Sequence, residues 1–254
     1  MKLTVLGKSP AWTDAGGACS GYLIEGEDGR PFLVDCGNGV FGKLRLRRDY
    51  RDVEAVLISH LHADHLLDLV PFAYALTVGP AAGEVRRPRL IAPTGADSFF
   101  RHLVGTWDSE DLIARAFAIE EYEPGSELDI AGIAINAHPV PHFGPTHAIG
   151  LTGKQGRIVF GSDGRFSEQL IAAARGAEVL IAEATLAEPD PAPEQERGHM
   201  SAGETGELAE RAGVGRLVLT HISDELDADR ALADARSAFS GPVEIAAEGS
   251  AWVV

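Results

Sequence analysis

The residues Ser59-His60-Leu61-His62-Ala63-Asp64-His65 put three imidazoles and a carboxylate into six consecutive positions. Imidazole nitrogen and carboxylate oxygen are the donors that suit zinc and its first-row neighbours. The spacing sharpens this chemistry. His60 and His62 are two apart and point the same way on an extended chain, whereas the adjacent Asp64 and His65 diverge toward a second position. One short segment can therefore serve two ions. The chain has nine histidines in 254 residues, so three within six positions is not the scatter of a polar turn. A zinc finger fits poorly, because Cys19 and Cys36 are far apart and lack paired spacing.

Such ligands need elements that hold them. Upstream, Val53-Glu54-Ala55-Val56-Leu57-Ile58 is a β-branched, apolar run of strand length; downstream, Leu66, Leu67, Leu69 and Val70 recur at helical spacing. The ligands are thus expected on a strand-to-helix loop, where open α/β folds place their sites. The same pattern recurs along the chain. Ile133-Ala134-Ile135 leads into His138 and His142, Ile158-Val159-Phe160 into Asp163, Val179-Leu180-Ile181 into Glu183, and Leu217-Val218-Leu219 into His221. Each is a short buried-strand pattern closed by a group able to bind metal or move a proton. Phe32-Leu33-Val34 runs into Asp35 and a glycine-rich bend, and Asp35 is either a further ligand or, preferably, an acceptor that holds a ligand imidazole in place.

The order of these segments, an early Asp, then H-x-H-x-D-H, a later His, an Asp and a final His, resembles the metallo-β-lactamase superfamily across essentially the whole chain. The resemblance implies residues 1–254 as one α/β domain, a four-layer αββα sandwich of two mixed β-sheets with helices outside. It also implies a binuclear site in which one metal takes His60, His62 and His142, the other takes Asp64, His65 and His221, and Asp163 bridges them. His138 is the alternative to His142. His147 reads as structural or substrate-facing, His102 as helix surface, and Trp107 as packed.

A bridging Asp where the β-lactamases commonly have Cys resembles the hydrolase branches, and two segments select among them. Ala182-Glu183-Ala184-Thr185 is similar to a His-Glu-Ala-Thr motif, with Ala182 in place of its His, and His199-Met200-Ser201 is similar to a His-Ser-Thr motif. Both resemble the RNase Z-like phosphodiesterases. That likeness gives Asp64, Glu183 and His199 catalytic roles, the last two as orienting carboxylate and general acid for a departing alkoxide. Two zinc ions, or manganese or iron, would share a hydrolytic bridging water. The tRNA-processing members usually carry a long arm between the third-motif His and the bridging Asp. Here only twenty residues, Phe143 to Ser162, fill that gap, enough for one hairpin through Gly153-Lys154-Gln155-Gly156.

Composition agrees with a small substrate. The formal charge of −16 repels polyanions and argues against a nucleic-acid platform, although two bound dications would reverse the field locally. The expected substrate is a small phosphodiester or a cyclic nucleotide. The alternatives are tRNA 3′-end processing and hydrolysis of a carboxylic ester, lactone or thioester. No apolar run approaches a membrane span, and the opening Met1-Lys2-Leu3-Thr4-Val5-Leu6-Gly7 reads as a strand; with two unpaired cysteines, the expected compartment is the cytoplasm. Dimers are common in the resembled branch, so a homodimer is the assembly it allows. The Pro-rich stretch 188–198 reads as a lid without regular structure.

Overall fold

Alternation of side chains along a strand sends neighbours to opposite faces, and most strands here are apolar on both. The computed structural model describes residues 1–80, 82–83 and 86–254. Its first half runs β1 (Lys2–Gly7), β2 (Gly21–Glu25), β3 (Pro31–Val34), α1 (Val40–Arg45), β4 (Ala55–Leu57), α2 (Ala63–Leu66), α3 (Leu69–Thr77), β5 (Arg89–Pro93), α4 (Ala96–Gly105), α5 (Leu112–Ala116) and β6 (Ala118–Tyr122). The second runs β7 (Glu127–Ile130), β8 (Ile133–Val140), β9 (Thr146–Thr152), β10 (Arg157–Phe160), α6 (Glu168–Ala174), β11 (Val179–Glu183), α7 (Ala202–Ala212), β12 (Leu217–Thr220), α8 (Ala228–Ala238) and β13 (Val243–Ile245). A last strand, β14 (Ala251–Val253), returns to pair with β1.

Two seven-stranded sheets result, ordered β14-β1-β2-β3-β4-β5-β6 and β13-β12-β11-β10-β9-β8-β7. Both are mixed: β3 to β6 are parallel in one and β10 to β13 in the other, with antiparallel strands completing each. Strand alternation divides the core into three. Phe32, Val34, Leu57 and Ile91 of the first sheet meet Ile158, Phe160, Ile181 and Val218 of the second. Their neighbours Leu33, Val56 and Leu90 face outward onto α1, α3, α4 and α5. Val159, Leu180 and Leu219 likewise face outward onto α6, α7 and α8. This is the four-layer αββα sandwich that the resemblance implied.

Three details differ from expectation. The segment from Ile133 continues as β8 to Val140, so His138 is a strand residue, paired with Ala148 of β9. The helix after the histidine run begins at Ala63, which puts Asp64 and His65 on α2 and not on a loop. Trp107 is 52% exposed, because the chain turns just past α4, with Asp108 at φ 54°, and swings the indole off the core. Among the described residues, no helix is long and apolar enough to cross a membrane.

Candidate metal centre

Parallel strands deliver their carboxyl ends to one edge of a sheet, and both sheets do so at the same place. Asp35 follows β3, His60 follows β4, Asp163 follows β10, Glu183 ends β11 and His221 follows β12. Three residues at these turns take left-handed backbone: Asp35 (φ 59°), Ser162 (φ 57°) and His221 (φ 50°). For non-glycine residues this costs roughly 1–2 kcal/mol each, and such strain persists only where surrounding contacts fix it.

Those contacts are visible. The bend after β3 is laced to α2 through Cys36 N–H to His65 O (2.8 Å) and Asp68 N–H to Cys36 O (3.1 Å). Gly37 is required by this approach, since a Cβ there would stand 1.8 Å from Asp64 O. Asp35, fully buried, accepts from Ser59 N–H (2.8 Å), Ser59 Oγ (2.9 Å) and His65 Nδ1 (2.6 Å). Tyr122 Oη donates to Ile58 O (2.9 Å) and fixes the chain just before His60.

Among the described residues, His199 joins two clusters of potential ligand atoms, with His142 and Asp163 and with Glu183 and His221, while the predicted metal ligands fall into two groups, each with its ligand atoms within 4.8 Å of one another: His60, His62 and His142, and Asp64, His65, Asp163 and His221. Asp163 stands between them, 3.3 Å from His65 Nε2 and from His221 Nε2 and 3.9 Å from His60 Nε2. His142 joins the first group because it lies beyond the end of β8; His138 does not reach it. His147 is buried against Tyr122 and the backbone of Ser59, and His102 is exposed on α4.

Hydrogen bonding fixes which nitrogen each ring turns inward. Nδ1–H donates outward from His65 to Asp35, from His60 to Ser59 Oγ (3.1 Å), from His142 to Gly198 O (2.8 Å) and from His221 to Thr185 Oγ1 (2.8 Å). The hydroxyls can accept because each spends its proton on a carboxylate, Ser59 on Asp35 and Thr185 on Glu183. The four Nε2 lone pairs therefore face the centre. His62 differs, turning Nδ1 to within 3.2 Å of His142 Nε2. Buried Nε2 atoms of His60 and His65 have no hydrogen-bond partner among the described residues. Converging lone pairs and carboxylates need positive charge between them, which is what divalent ions supply. The donor set fits.

Electrostatics agree with that need. Burial opposes an imidazolium at His65, but the carboxylates of Asp163 and Asp35 outweigh it and hold its pKa well above the usual range. Burial likewise opposes charge on Asp163, yet His221 and His65 hold its carboxyl well below. At His60, burial and the neighbouring His65 drive the pKa well down, which favours the neutral ring that a metal ligand needs. Both cysteines are free and buried, burial pushes the Cys19 thiol up to about 12, and neither cysteine joins a group of candidate ligands among the described residues.

Beside the two groups stands a buried carboxylate with four attachments. Glu183 accepts from Gly164 N–H (2.7 Å), Thr185 Oγ1 (2.5 Å), Met200 N–H (3.2 Å) and His199 Nδ1 (3.0 Å). It thus fixes the turn bearing Asp163, the Thr185 that orients His221, and His199. The His199 ring stacks on His221 (centroids 5.6 Å, 17°) and meets His142 edge-on at 5.0 Å. Leu186 pairs with Ser201, and the capping box of Ser201 and Glu204 starts α7, so His199 is anchored on both sides of the Pro-rich loop. That loop contains a single 3-10 turn and is tied down by Glu188–Arg230 and Glu194–Arg165 pairs.

Sequence reasoning missed Ser59, Thr185 and the Gly198 carbonyl as partners of ligand rings. Ser59 and Thr185 lay inside the quoted motifs; a carbonyl has no residue signature. Asp35→Asn is expected to weaken metal affinity about 10–100-fold, measured by competition with a chromophoric chelator. Unchanged affinity would remove Asp35 from any role at the centre.

A family model described as a β-lactamase superfamily domain matches residues 30–222. The probable metallo-hydrolase YhfI of Bacillus subtilis is 30% identical over 254 residues, covering 99% of each chain. Its crystal structure superposes with a TM-score of 0.85 at 27% identity, over 99% of this chain and 98% of that one. The uncharacterized protein ML1173 of Mycobacterium leprae is 30% identical over 99% of this chain and 88% of its own. A ribonuclease Z of Myxococcus xanthus is 27% identical over 98% of this chain and 96% of its own.

Proposed function

The chain belongs to the β-lactamase superfamily and is a metal-dependent hydrolase; from that premise we propose that it is a binuclear zinc phosphodiesterase acting on small phosphodiesters or cyclic nucleotides. The carrying observation is the Glu183–His199 pair beside Asp163. Thioesters and esters with good leaving groups expel a stable anion and do not require a positioned acid; an alkoxide leaving phosphorus does.

His60, His62 and His142 would hold one ion and Asp64, His65 and His221 the other, with Asp163 common to both. When bound, zinc, manganese or iron supplies an acidified water as nucleophile and positive charge for the phosphoryl oxygens. The residues of the chain do the rest. Outward Nδ1–H bonds keep the rings from rotating, and Asp64 and Asp163 set a negative frame that selects divalent ions. Glu183 accepts the Nδ1 proton of His199 and leaves Nε2 to deliver a proton to the departing oxygen. Burial opposes the imidazolium at His199, but the hydrogen bond and charge of Glu183, with Asp163 and Asp64, raise its pKa above the ordinary value. A raised pKa favours the protonated acid over an ordinary imidazole.

The span from Phe143 to Ser162 is used up by the β9–β10 hairpin, whose turn closes through Gly153 N–H to Gly156 O (3.0 Å). This favours small diesters over tRNA. The test is a panel on protein stripped and reloaded with zinc or manganese: a nitrophenyl phosphodiester, cyclic nucleotides, precursor tRNA, a lactone and a β-lactam. The expected result is two ions per chain and the highest kcat/KM on the small phosphodiesters; a preference for the carbonyl substrates would overturn the reading.

A further inference from the structure

Phe143 follows the ligand His142 and is 65% exposed, where a phenyl ring would ordinarily be withdrawn from water. It is not loose. Its ring lies 5.0 Å from that of His142 and 5.8 Å from that of His199, and it rests on the backbone of Gly198, where a Cβ would stand 2.2 Å from Phe143 Cε2. Gly198 is thus the seat of the ring, and its carbonyl is also the acceptor for His142. The next residue, Gly144, borders open space. Trp12, Tyr74 and Trp107 are also exposed, but among the described residues Phe143 is the exposed aromatic in ring contact with histidines of the centre.

We infer that Phe143 is a stacking platform for the nucleobase of a nucleotide substrate, an inference that rests on the phosphodiesterase reading. A phosphate within reach of His199 has its ester substituents beside the neighbours of His199, and Phe143 touches both His142 and His199. The face of a pinned ring suits a planar π-system, because offset stacking matches the two quadrupoles and every base has such a face. The platform therefore discriminates base-bearing from base-free phosphates and is tolerant of which base is present.

The test is calorimetric binding of adenosine 5′-monophosphate, ribose 5-phosphate and phenyl phosphate to the zinc-loaded full chain. In the wild type, the adenosine phosphate is expected to bind about ten-fold tighter than ribose 5-phosphate. Phe143→Ala should abolish that preference with ribose 5-phosphate binding unchanged, and Phe143→Trp should keep it. If no phosphate binds the wild type, the phosphodiesterase reading falls and takes the platform with it. If phosphates bind but the preference is absent, survives in Phe143→Ala, or appears only for phenyl phosphate, the nucleobase platform alone is overturned.

Discussion

Asp163→Ala is expected to remove metal-dependent hydrolysis altogether and to leave the chain with at most one firmly held ion. Asp163 is buried and lies within 3.9 Å of His60, His65 and His221, and on the proposed assignment it is the carboxylate common to both ions. Its loss would remove a ligand from each proposed ion position at once, and the effect should exceed the roughly 10–100-fold that loss of an outer hydrogen-bond partner costs. The fold should survive. Gly164 N–H remains bonded to Glu183, and His65 keeps Asp35 as its partner. Elemental analysis after gel filtration, beside kcat/KM on a nitrophenyl phosphodiester, measures the outcome. A variant that retained two ions and measurable turnover would show that the two groups bind independently and that Asp163 does not join them.

Much of this centre was legible because strand patterns end in the groups that matter. Ile158-Val159-Phe160 reads as a buried strand, and its alternation is real: Ile158 and Phe160 face the other sheet while Val159 faces the helices. Once a strand is fixed in a parallel sheet, the residue after its carboxyl end has few places to go, and Asp163 and His221 go to the shared edge. The choice between His138 and His142 was harder, because it depends on where β8 stops. The strand runs through His138-Pro139-Val140, past the apolar triplet that announced it, held by pairing with β9. Strand length is set here by a partner strand, and the segment itself carries no sign of it.

The groups that orient the rings were legible only in part. Asp35 follows a strand and could be read as an acceptor, and its contact with His65 bridges 30 positions of chain. Thr185 sits two residues past Glu183, and its hydroxyl links that carboxylate to His221 only because β11 and β12 are parallel neighbours. The Gly198 carbonyl reaches His142 across 56 positions, through the closure of Leu186 on Ser201. These contacts are products of topology. The Pro-rich stretch, read as a lid, carries exposed ion pairs at Glu188 and Glu194 and ends at Gly198, whose carbonyl meets His142.

His199→Ala should hold metal as the wild type does and yet lose about 10²–10⁴-fold in turnover on diesters with poor leaving groups. The ring is held through Nδ1 by Glu183 and is outside the His60, His62, His142 and the Asp64, His65, Asp163, His221 groups, so on the proposed assignment its removal leaves the donor set complete. A nitrophenolate departs without a proton, and turnover of its esters should fall far less. The ratio of the two losses identifies an acid, since a merely structural change would reduce both alike. The pH profile gives an independent check. Because the environment, Glu183 above all among the groups that raise it, lifts the His199 pKa, activity on poor leaving groups should fall as pH rises through that raised value, at higher pH than an ordinary imidazole would set. Glu183→Gln removes the charge that favours the imidazolium, so the alkaline limb should move to lower pH. Equal losses on both substrate classes, with no movement of that limb, would take the proton-donating role from His199 and with it the strongest reason for preferring phosphorus over carbonyl carbon.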